Sequence, residues 1–403
     1  MDYQQTKELL SEKGQLQLLE QFDALSEEGK AELLRQIEKI DWTVLNSPSA
    51  PHAGETEPLT GLSLREIEKN REEYSALGVK LIREGALGAV LLAGGQGTRL
   101  GSDAPKGAFN IGITRPLYIF ECLIQNLLNI LKPIGAFVPL YIMTSEKNDE
   151  ETRAFLSSHA YFGYPEEYVT FFVQDMAPAT DFGGKVLLEA QGRLALSPNG
   201  NGGWFSSLLR AGHVARMRER GVKWLNVFAV DNVLQRIADP VFLGATAMAG
   251  APCGAKTVKK RNPEERVGVL CKRGGLPDVI EYYELDEATA NLRDGAGNLL
   301  YADGVILNYL FQVSRLEEIA AAKIPVHRVK KKVPYFDGTR TITPASENAY
   351  KYETLILDMI RLTGDCLSFE VEREREFAPI KNATGTDSVE TARALLQKNG
   401  VKL

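Results

Sequence analysis

From residue 86 to about residue 250, short apolar runs alternate with stretches whose apolar residues recur at helical spacing. This alternation restricts the fold more than any other feature of the chain. The runs 89–93, 139–144, 169–173 and 224–230 read as strands, and 89–93 has the continuous apolarity of a parallel strand buried on both faces. Between them, 116–131, 149–159, 204–220 and 240–248 read as helices. The pattern predicts an α/β fold, a doubly wound sheet of Rossmann type with helices on both faces. In such sheets ligands sit at the carboxyl ends of the strands.

Past residue 250 the texture changes. Residues 254–259, 267–270 and 278–285 read as strands separated by turns, an antiparallel insertion covering the site, and 305–311 reads as a return strand. Residues 348–362 read as a helix and 367–372 as a half-buried strand. Asp387 with Glu390 has the spacing of a capping box opening a last helix to about 397. At the other end, Leu18, Phe22 and Leu25 share one helical face, as do Leu33, Ile37 and Ile40. Residues 47–54 have the composition of a linker, and 63–84 read as helical again. The expected division is an N-terminal helical segment over 1–85, an α/β domain over 86–330, and a C-terminal segment over 331–403 that packs back on the site.

The first strand runs into Ala93-Gly94-Gly95-Gln96-Gly97-Thr98-Arg99-Leu100-Gly101, with Pro105-Lys106-Gly107 just after it. Glycines there let the backbone turn sharply and offer bare N–H groups to an anion. Arg99 and Lys106 add positive charge beside those amides, which makes a polyphosphate cradle. A Walker A loop requires Gly-x4-Gly-Lys-Ser/Thr, which is absent. A dinucleotide fingerprint requires Gly-x-Gly-x-x-Gly, and here Gly95-x-Gly97 meets its next glycine at 101, one residue too late.

Other chemistries are excluded more simply. The net charge is −6, and no Lys/Arg run is longer than the three of Lys330-Lys331-Lys332, so nucleic acid is not an expected partner. No apolar run reaches about 18 residues, so no membrane span is expected. Met1-Asp2-Tyr3-Gln4 lacks the basic and apolar regions of a signal peptide. The four cysteines (122, 253, 271, 366) are widely spaced and read as reduced thiols of a cytoplasmic protein. The four histidines (52, 159, 213, 327) form no zinc motif and no nucleophilic triad.

The form Leu-Leu-Ala-Gly-Gly-Gln-Gly-Thr-Arg-Leu-Gly with a following Pro-Lys-Gly resembles the signature of nucleotidyltransferases that make nucleotide sugars. It is most similar to the UDP-N-acetylhexosamine pyrophosphorylase branch, and the resemblance implies a nucleotidyltransferase (GT-A-like) version of the doubly wound sheet. Glucose-type relatives carry a loop closer to Asn-Gly-Gly-Leu-Gly-Thr. Further stretches resemble the same branch in the same order, from about residue 89 to about 395. Gln174 ends the third strand, where a side-chain amide presents a donor and an acceptor that match a uracil edge. Its Phe-Phe-x-Gln setting is similar to the family's uridine-binding stretch. Asn199-Gly200-Asn201-Gly202-Gly203 precedes a helix and permits close backbone approach to a base or ribose. Asp231, in Val230-Asp231-Asn232 at the end of a buried strand, is placed for a hard cation, and the resemblance implies that it binds Mg2+. Gly268 and Glu281 resemble the sugar-contacting segment. Asn308 matches an Asn that meets the sugar in the family, although Val305 stands where that pattern has another Asn. Lys381 lies in Glu376-Phe377-Ala378-Pro379-Ile380-Lys381-Asn382-Ala383, similar to the family's Glu-Phe-Ser-Pro-Leu-Lys-Asn-Ala. Eukaryotic relatives continue into a small further domain, whereas this sequence stops near Lys402-Leu403.

The resemblance implies a uridylyltransferase with Mg2+ as cofactor and with UTP and a sugar 1-phosphate as substrates, N-acetylglucosamine 1-phosphate foremost. The alternatives are a pyrophosphorylase for glucose or galactose 1-phosphate and one of broad sugar specificity. Ala93, Gly94, Gly95, Gln96 and Gly97 would hold the triphosphate with Arg99 and Lys106, and Lys381 would lie near the acceptor phosphate. A glycosyltransferase on a similar fold is expected to show Asp-x-Asp, and no two aspartates here are two residues apart. A non-catalytic UDP-sugar sensor is expected to lack the loop cations, which are present. The oligomeric state is left open.

Overall fold

The computed structural model describes residues 1–40, 42–46, 54–321 and 324–403. The linker expected over 47–54 lies, except for Gly54, outside the described residues. Two compact units are built from interleaved stretches of chain. One collects Met1–Pro51, Gln174–Trp204 and Lys323–Ile356; the other collects His52–Val173, Phe205–Ala322 and Leu357–Leu403. Both units therefore take residues from all three of the segments expected from the sequence.

The second unit is built on one ten-stranded sheet. Its strands are β1 (Thr56–Pro58), β2 (Leu87–Leu92), β3 (Leu140–Thr144), β4 (Val169–Val173), β5 (Trp224–Ala229), β6 (Cys253–Lys259), β7 (Val269–Arg273), β8 (Leu276–Ile280), β9 (Asp303–Gln312) and β10 (Leu367–Glu370). They lie in the order β1-β7-β9-β5-β2-β3-β4, with β8 on β7, β6 on β9 and β10 on β6. β5, β2, β3 and β4 are parallel, as the alternation predicts. β2 and β5 are buried along their whole length, which is why they read as unbroken apolar runs. The antiparallel strands do not form a separate cover. β9, the return strand expected over 305–311, pairs antiparallel with β5, and β6 and β7 join the same sheet through β9.

The helix Ile119–Ile134 supplies much of the core through Phe120, Leu123, Leu127 and Leu131. Gly135, at φ 74°, ends it in a left-handed cap. Helix Arg71–Arg83 crosses helix Pro240–Met248 at backbone contact distance. A Cβ on Gly78 would stand 1.9 Å from the Pro240 carbonyl oxygen, and one on Gly244 would stand 1.8 Å from that of Tyr74. The helix expected over 204–220 is two helices, Trp204–Arg210 and His213–Glu219, parted at Gly212 with φ 75°. The last helix is Val389–Lys398, and its capping box is Ser388 with Thr391 rather than Asp387 with Glu390.

In the first unit, helices Tyr3–Glu12 and Glu27–Lys39 enclose a small core of Leu10, Leu18, Phe22, Leu33, Ile37 and Ile40, completed by Val186 and Leu194. Leu18 and Phe22 are buried as their spacing suggests, with Leu25 partly so, but on two short 3-10 turns, Leu16–Leu19 and Phe22–Ala24. A three-stranded sheet joins His327–Lys331, Ala349–Glu353 and Thr180–Asp181. The stretch expected to be one helix over 348–362 is thus a strand followed by helix Ile356–Thr363. Ala349 and Tyr352 are buried from that strand, and its cross-strand pairing with His327–Lys331 overrides the helical spacing.

Candidate functional site

In the second unit the glycine loop leaves the carboxyl end of β2 and turns back at Gln96, which bridges to Pro105. The Gly97 N–H donates to the Ala104 carbonyl (3.0 Å), and the Lys106 N–H to that of Gly95 (3.2 Å). A Cβ at Gly95 would meet nothing within 4 Å, so this corner of the loop faces open space. Asn148, itself buried, braces the loop from behind by donating to the carbonyls of Ala93 (3.0 Å) and Gly95 (3.3 Å). Gly107 lies against the Phe120 ring, where a Cβ would stand 2.2 Å from Cζ. That close contact fixes the turn that presents Lys106.

Lys106 Nζ stands 3.9 Å from Asp231 Oδ2 at the end of the neighbouring strand β5. Burial lowers the Lys106 pKa from the ordinary lysine value, Asp231 opposes this, and the positive charges of Lys381 and Arg99 lower it further. All four side chains therefore share one electrostatic neighbourhood. Lys381 arrives from far along the chain, and its ammonium pairs with Asp387 at 3.1 Å. Asn232 brings it there. Its Nδ2 donates to the Glu376 carbonyl (2.7 Å) and its Oδ1 accepts from the Ala378 N–H (2.9 Å). The Ile380 N–H then donates to the Asp231 carbonyl at 2.9 Å. Glycine loop, Arg99, Lys106, Asp231 and Lys381 are brought together as expected.

Gly268 and Glu281 also come together. A Cβ at Gly268 would stand 2.9 Å from Val279 Cγ1, 3.6 Å from Val305 Cγ2 and 3.7 Å from Glu281 Oε2. Asn308 does not join them. It is fully buried on β9; its Oδ1 accepts from Asn226 (2.8 Å), and its Nδ2 donates to Gln235 Oε1 (3.4 Å) and the Arg236 carbonyl (3.3 Å). This amide holds β9, β5 and the turn after β5 together.

In the first unit, Gln174 and the stretch after Pro198 lie at one end of the antiparallel pair Met176–Pro178 and Leu196–Pro198, and the Asn199 N–H donates to the Asp175 carbonyl at 3.1 Å. Gln174 is 7% exposed. Gly200 has φ 85°, and a Cβ there would stand 2.3 Å from the Thr354 carbonyl oxygen; one on Gly202 would stand 2.7 Å from the Leu355 backbone. The Gly202 N–H donates to Thr354 (2.9 Å), and Asn201 Oδ1 accepts from the Ile356 N–H (3.0 Å). These glycines are required by the approach of the protein's own 354–355 backbone.

Three groups escape a reading of the sequence: Asn148, the clamp by Asn232, and a buried ionic cluster of Lys256, Asp239 and Glu376. Lys256 is fully buried, 3.0 Å from Asp239 and 2.6 Å from Glu376. A lysine inside the otherwise apolar or small strand Cys253–Lys259 is the one signal for it. Among the described residues no three His, Cys, Asp or Glu side chains gather as a metal site. All four cysteines are free and buried, and burial pushes the Cys122 and Cys271 thiols up to about 12.

A sequence profile described as UTP–glucose-1-phosphate uridylyltransferase matches residues 19–400. A human UDP-N-acetylhexosamine pyrophosphorylase-like protein is 37% identical over 83% of this chain and 69% of its own. The UDP-N-acetylglucosamine pyrophosphorylase of Saccharomyces cerevisiae is 34% identical over 98% of this chain and 90% of its own. Among the curated relatives it matches, the chain spans between 64% and 90% of their length. The crystal structure of the uridine diphosphate N-acetylglucosamine pyrophosphorylase from Trypanosoma brucei superposes with a TM-score of 0.82 at 28% identity, covering 96% of this chain and 83% of that one.

Proposed function

The chain belongs to the UTP–glucose-1-phosphate uridylyltransferase family, and from that premise we propose that it joins UTP to a sugar 1-phosphate, releasing pyrophosphate and a UDP-sugar. The sugar proposed is N-acetylglucosamine 1-phosphate, which follows the names of the relatives that cover most of the chain. The observation that carries the reaction is the gathering of Lys106, Asp231, Lys381 and Arg99 beside a glycine loop whose Gly95 corner is open.

The chemistry asks little of the protein beyond placement and charge. An oxygen of the sugar phosphate attacks the α-phosphorus of UTP in line, the bond to the β-phosphate oxygen breaks, and pyrophosphate leaves. The nucleophile is already an anion, so no side chain has to be activated to attack. The cost lies in bringing two anions together and in the charge of the transition state. Lys106, Arg99 and the loop amides of Gly94–Gly97 would hold the triphosphate. Lys381 would neutralise the incoming phosphate. Gln174, whose amide offers a donor and an acceptor, would read the uracil edge, beside Gly200, Asn201 and Gly202. Gly268 and Glu281 would meet the sugar.

Asp231 fits Mg2+. It is one half-buried carboxylate beside a phosphate cradle, and Mg2+ commonly takes one or two carboxylates with substrate phosphates. When bound, the ion supplies charge neutralisation on phosphate oxygens. No helix among the described residues is long and apolar enough to cross a membrane, and the cytoplasm is the compartment proposed.

The test is pyrophosphate release with UTP, Mg2+ and, in separate assays, N-acetylglucosamine, N-acetylgalactosamine and glucose 1-phosphates. Release fastest with N-acetylglucosamine 1-phosphate is expected. Preference for glucose would keep the reaction and replace the sugar. Folded protein that releases no pyrophosphate with any of them would sink the reading.

A further inference from the structure

The fully buried ammonium of Lys256 has no part in the chemistry above, yet it lies behind it. It donates to Asp239 Oδ2 (3.0 Å), to the Arg236 carbonyl (3.1 Å) and to Glu376 Oε2 (2.6 Å). Asp239 caps helix Pro240–Met248 through the Val241 N–H at 3.1 Å, so one end of the bridge is anchored in the core. Glu376 opens the segment that ends at Lys381. Between them lies the Asn232 clamp on Glu376 and Ala378, and then the Ile380 N–H on the Asp231 carbonyl. The chain of contacts runs from Lys256 to both Asp231 and Lys381.

A buried ion pair contributes little net stability compared with well-packed apolar groups, because desolvation offsets the attraction. Arg236 also reaches Asp239, at 3.4 Å, so two cations face two carboxylates. What such a cluster supplies is a fixed geometry, since moving one member leaves a buried charge unpaired. The segment it fixes carries a cation whose distance from a transferred phosphate decides the rate.

We infer that Lys256 is a positioning residue for phosphate transfer: by tying Glu376 to the capped end of helix Pro240–Met248, it holds residues 376–381 so that Lys381 and Asp231 face Lys106. This rests on the uridylyl-transfer reading for its kinetic arm only.

The test is a double-mutant cycle on the full chain. Lys256→Met keeps length and apolar volume and removes the charge. It should lower kcat by about tenfold or more, the range expected when a catalytic cation drifts by about an ångström, while KM for UTP changes by less than about threefold. Lys381→Ala should lower kcat as well, and the double variant should lose clearly less than the product of the two single losses. Losses that multiply, or a Lys256→Met enzyme with unchanged kcat, would overturn the inference. If Lys256→Met does not fold, Glu376→Gln takes its place in the same cycle. Hydrogen exchange gives a readout independent of activity. The Ile380 amide should exchange at least about tenfold faster in Lys256→Met, while amides of β2 stay protected. Unchanged exchange at Ile380 overturns the inference even if the protein has no transferase activity; an inactive parent with accelerated exchange in the variant removes only the proposed reaction.

Discussion

The side-chain oxygen of Asn232 accepts the N–H of Ala378 at 2.9 Å, across 146 positions of sequence. Asn232 is 1% exposed and uses its amide nitrogen on the Glu376 carbonyl at 2.7 Å as well. Removing the side chain leaves a buried donor and a buried acceptor unmet, at about 1–3 kcal/mol each. Asn232→Ala should therefore lower the unfolding free energy by about 2–4 kcal/mol in urea titrations. It should also lower kcat, because the clamp is shared with Lys381. A variant with parental stability would show that the clamp is not made in solution.

Lys106 behaves in the opposite way. Its pKa is lowered from 10.5 by burial, with Lys381 and Arg99 adding to that and Asp231 opposing it. A lysine whose folded pKa is lowered holds its proton less tightly in the folded state. It therefore subtracts stability below that folded pKa, and the loss is relieved as pH rises towards 10.5. Lys106→Met should keep or raise Tm at neutral pH while lowering kcat by about a hundredfold or more, the scale of losing one charge-stabilising group. Thermal melts and pyrophosphate release read the two effects separately. A variant that is inactive and also strongly destabilised would contradict the separation.

The buried cluster sets a pH dependence. Burial raises the Glu376 pKa above 4.5, and Asp239 adds to it against the pull of Lys256. Between 4.5 and the raised value the folded state binds more protons than the unfolded state, so this group makes stability fall as pH rises. Asp239 has the reverse sign. Burial acts against it, but Lys256 and Arg236 prevail and lower its pKa below 3.8, so its contribution is lost as pH falls through that range. Glu376→Gln should flatten the fall in Tm above pH 4.5 and leave the acid limb in place. Identical Tm profiles for the two proteins above pH 4.5 would count against a raised Glu376.

Gly200 tests the first unit alone. Its φ of 85° and the 2.3 Å from a Cβ to the Thr354 carbonyl oxygen forbid a side chain. Gly200→Ala should lower stability by about 1–3 kcal/mol, the cost of a strained left-handed residue, before any contact is counted. Chemical denaturation measures it, and a neutral substitution would mean that the 199–203 loop does not pack on 354–355 as described.

Asp231 is the proposed Mg2+ ligand. Chelation of divalent ions should abolish pyrophosphate release, and Asp231→Asn should raise the Mg2+ concentration needed for half-maximal rate by at least about tenfold, the loss of one charged ligand. An unchanged Mg2+ dependence would assign the ion to substrate phosphates alone.

Strands β2, β3 and β5 were legible because each is buried on both faces, and continuous apolarity has few other causes. The glycine loop and its two cations stood out for a related reason: the glycines, Arg99 and Lys106 lie within a dozen residues of one another. Tertiary pairing was not. Asn308 stands in a short motif similar to a sugar-contacting one, but its amide is engaged by Asn226 and Gln235, which lie more than 70 positions away. Tyr350 and Tyr352 suit a helix and a strand equally, and only the partner strand His327–Lys331 decides between them. Lys256 is invisible for the same reason, since its meaning depends on Asp239 and Glu376, which converge on it from 17 and 120 positions away.

The order in which the ribosome delivers this chain adds a consequence. The glycine loop, Lys106 and Asp231 are translated before the 376–381 segment that Asn232 clasps. A growing chain can thus expose its phosphate cradle while Asn232 still has no partner and Lys381 does not yet exist. The clasp that joins Asn232 to the 376–381 segment is thus among the last contacts this chain can make as it is synthesised.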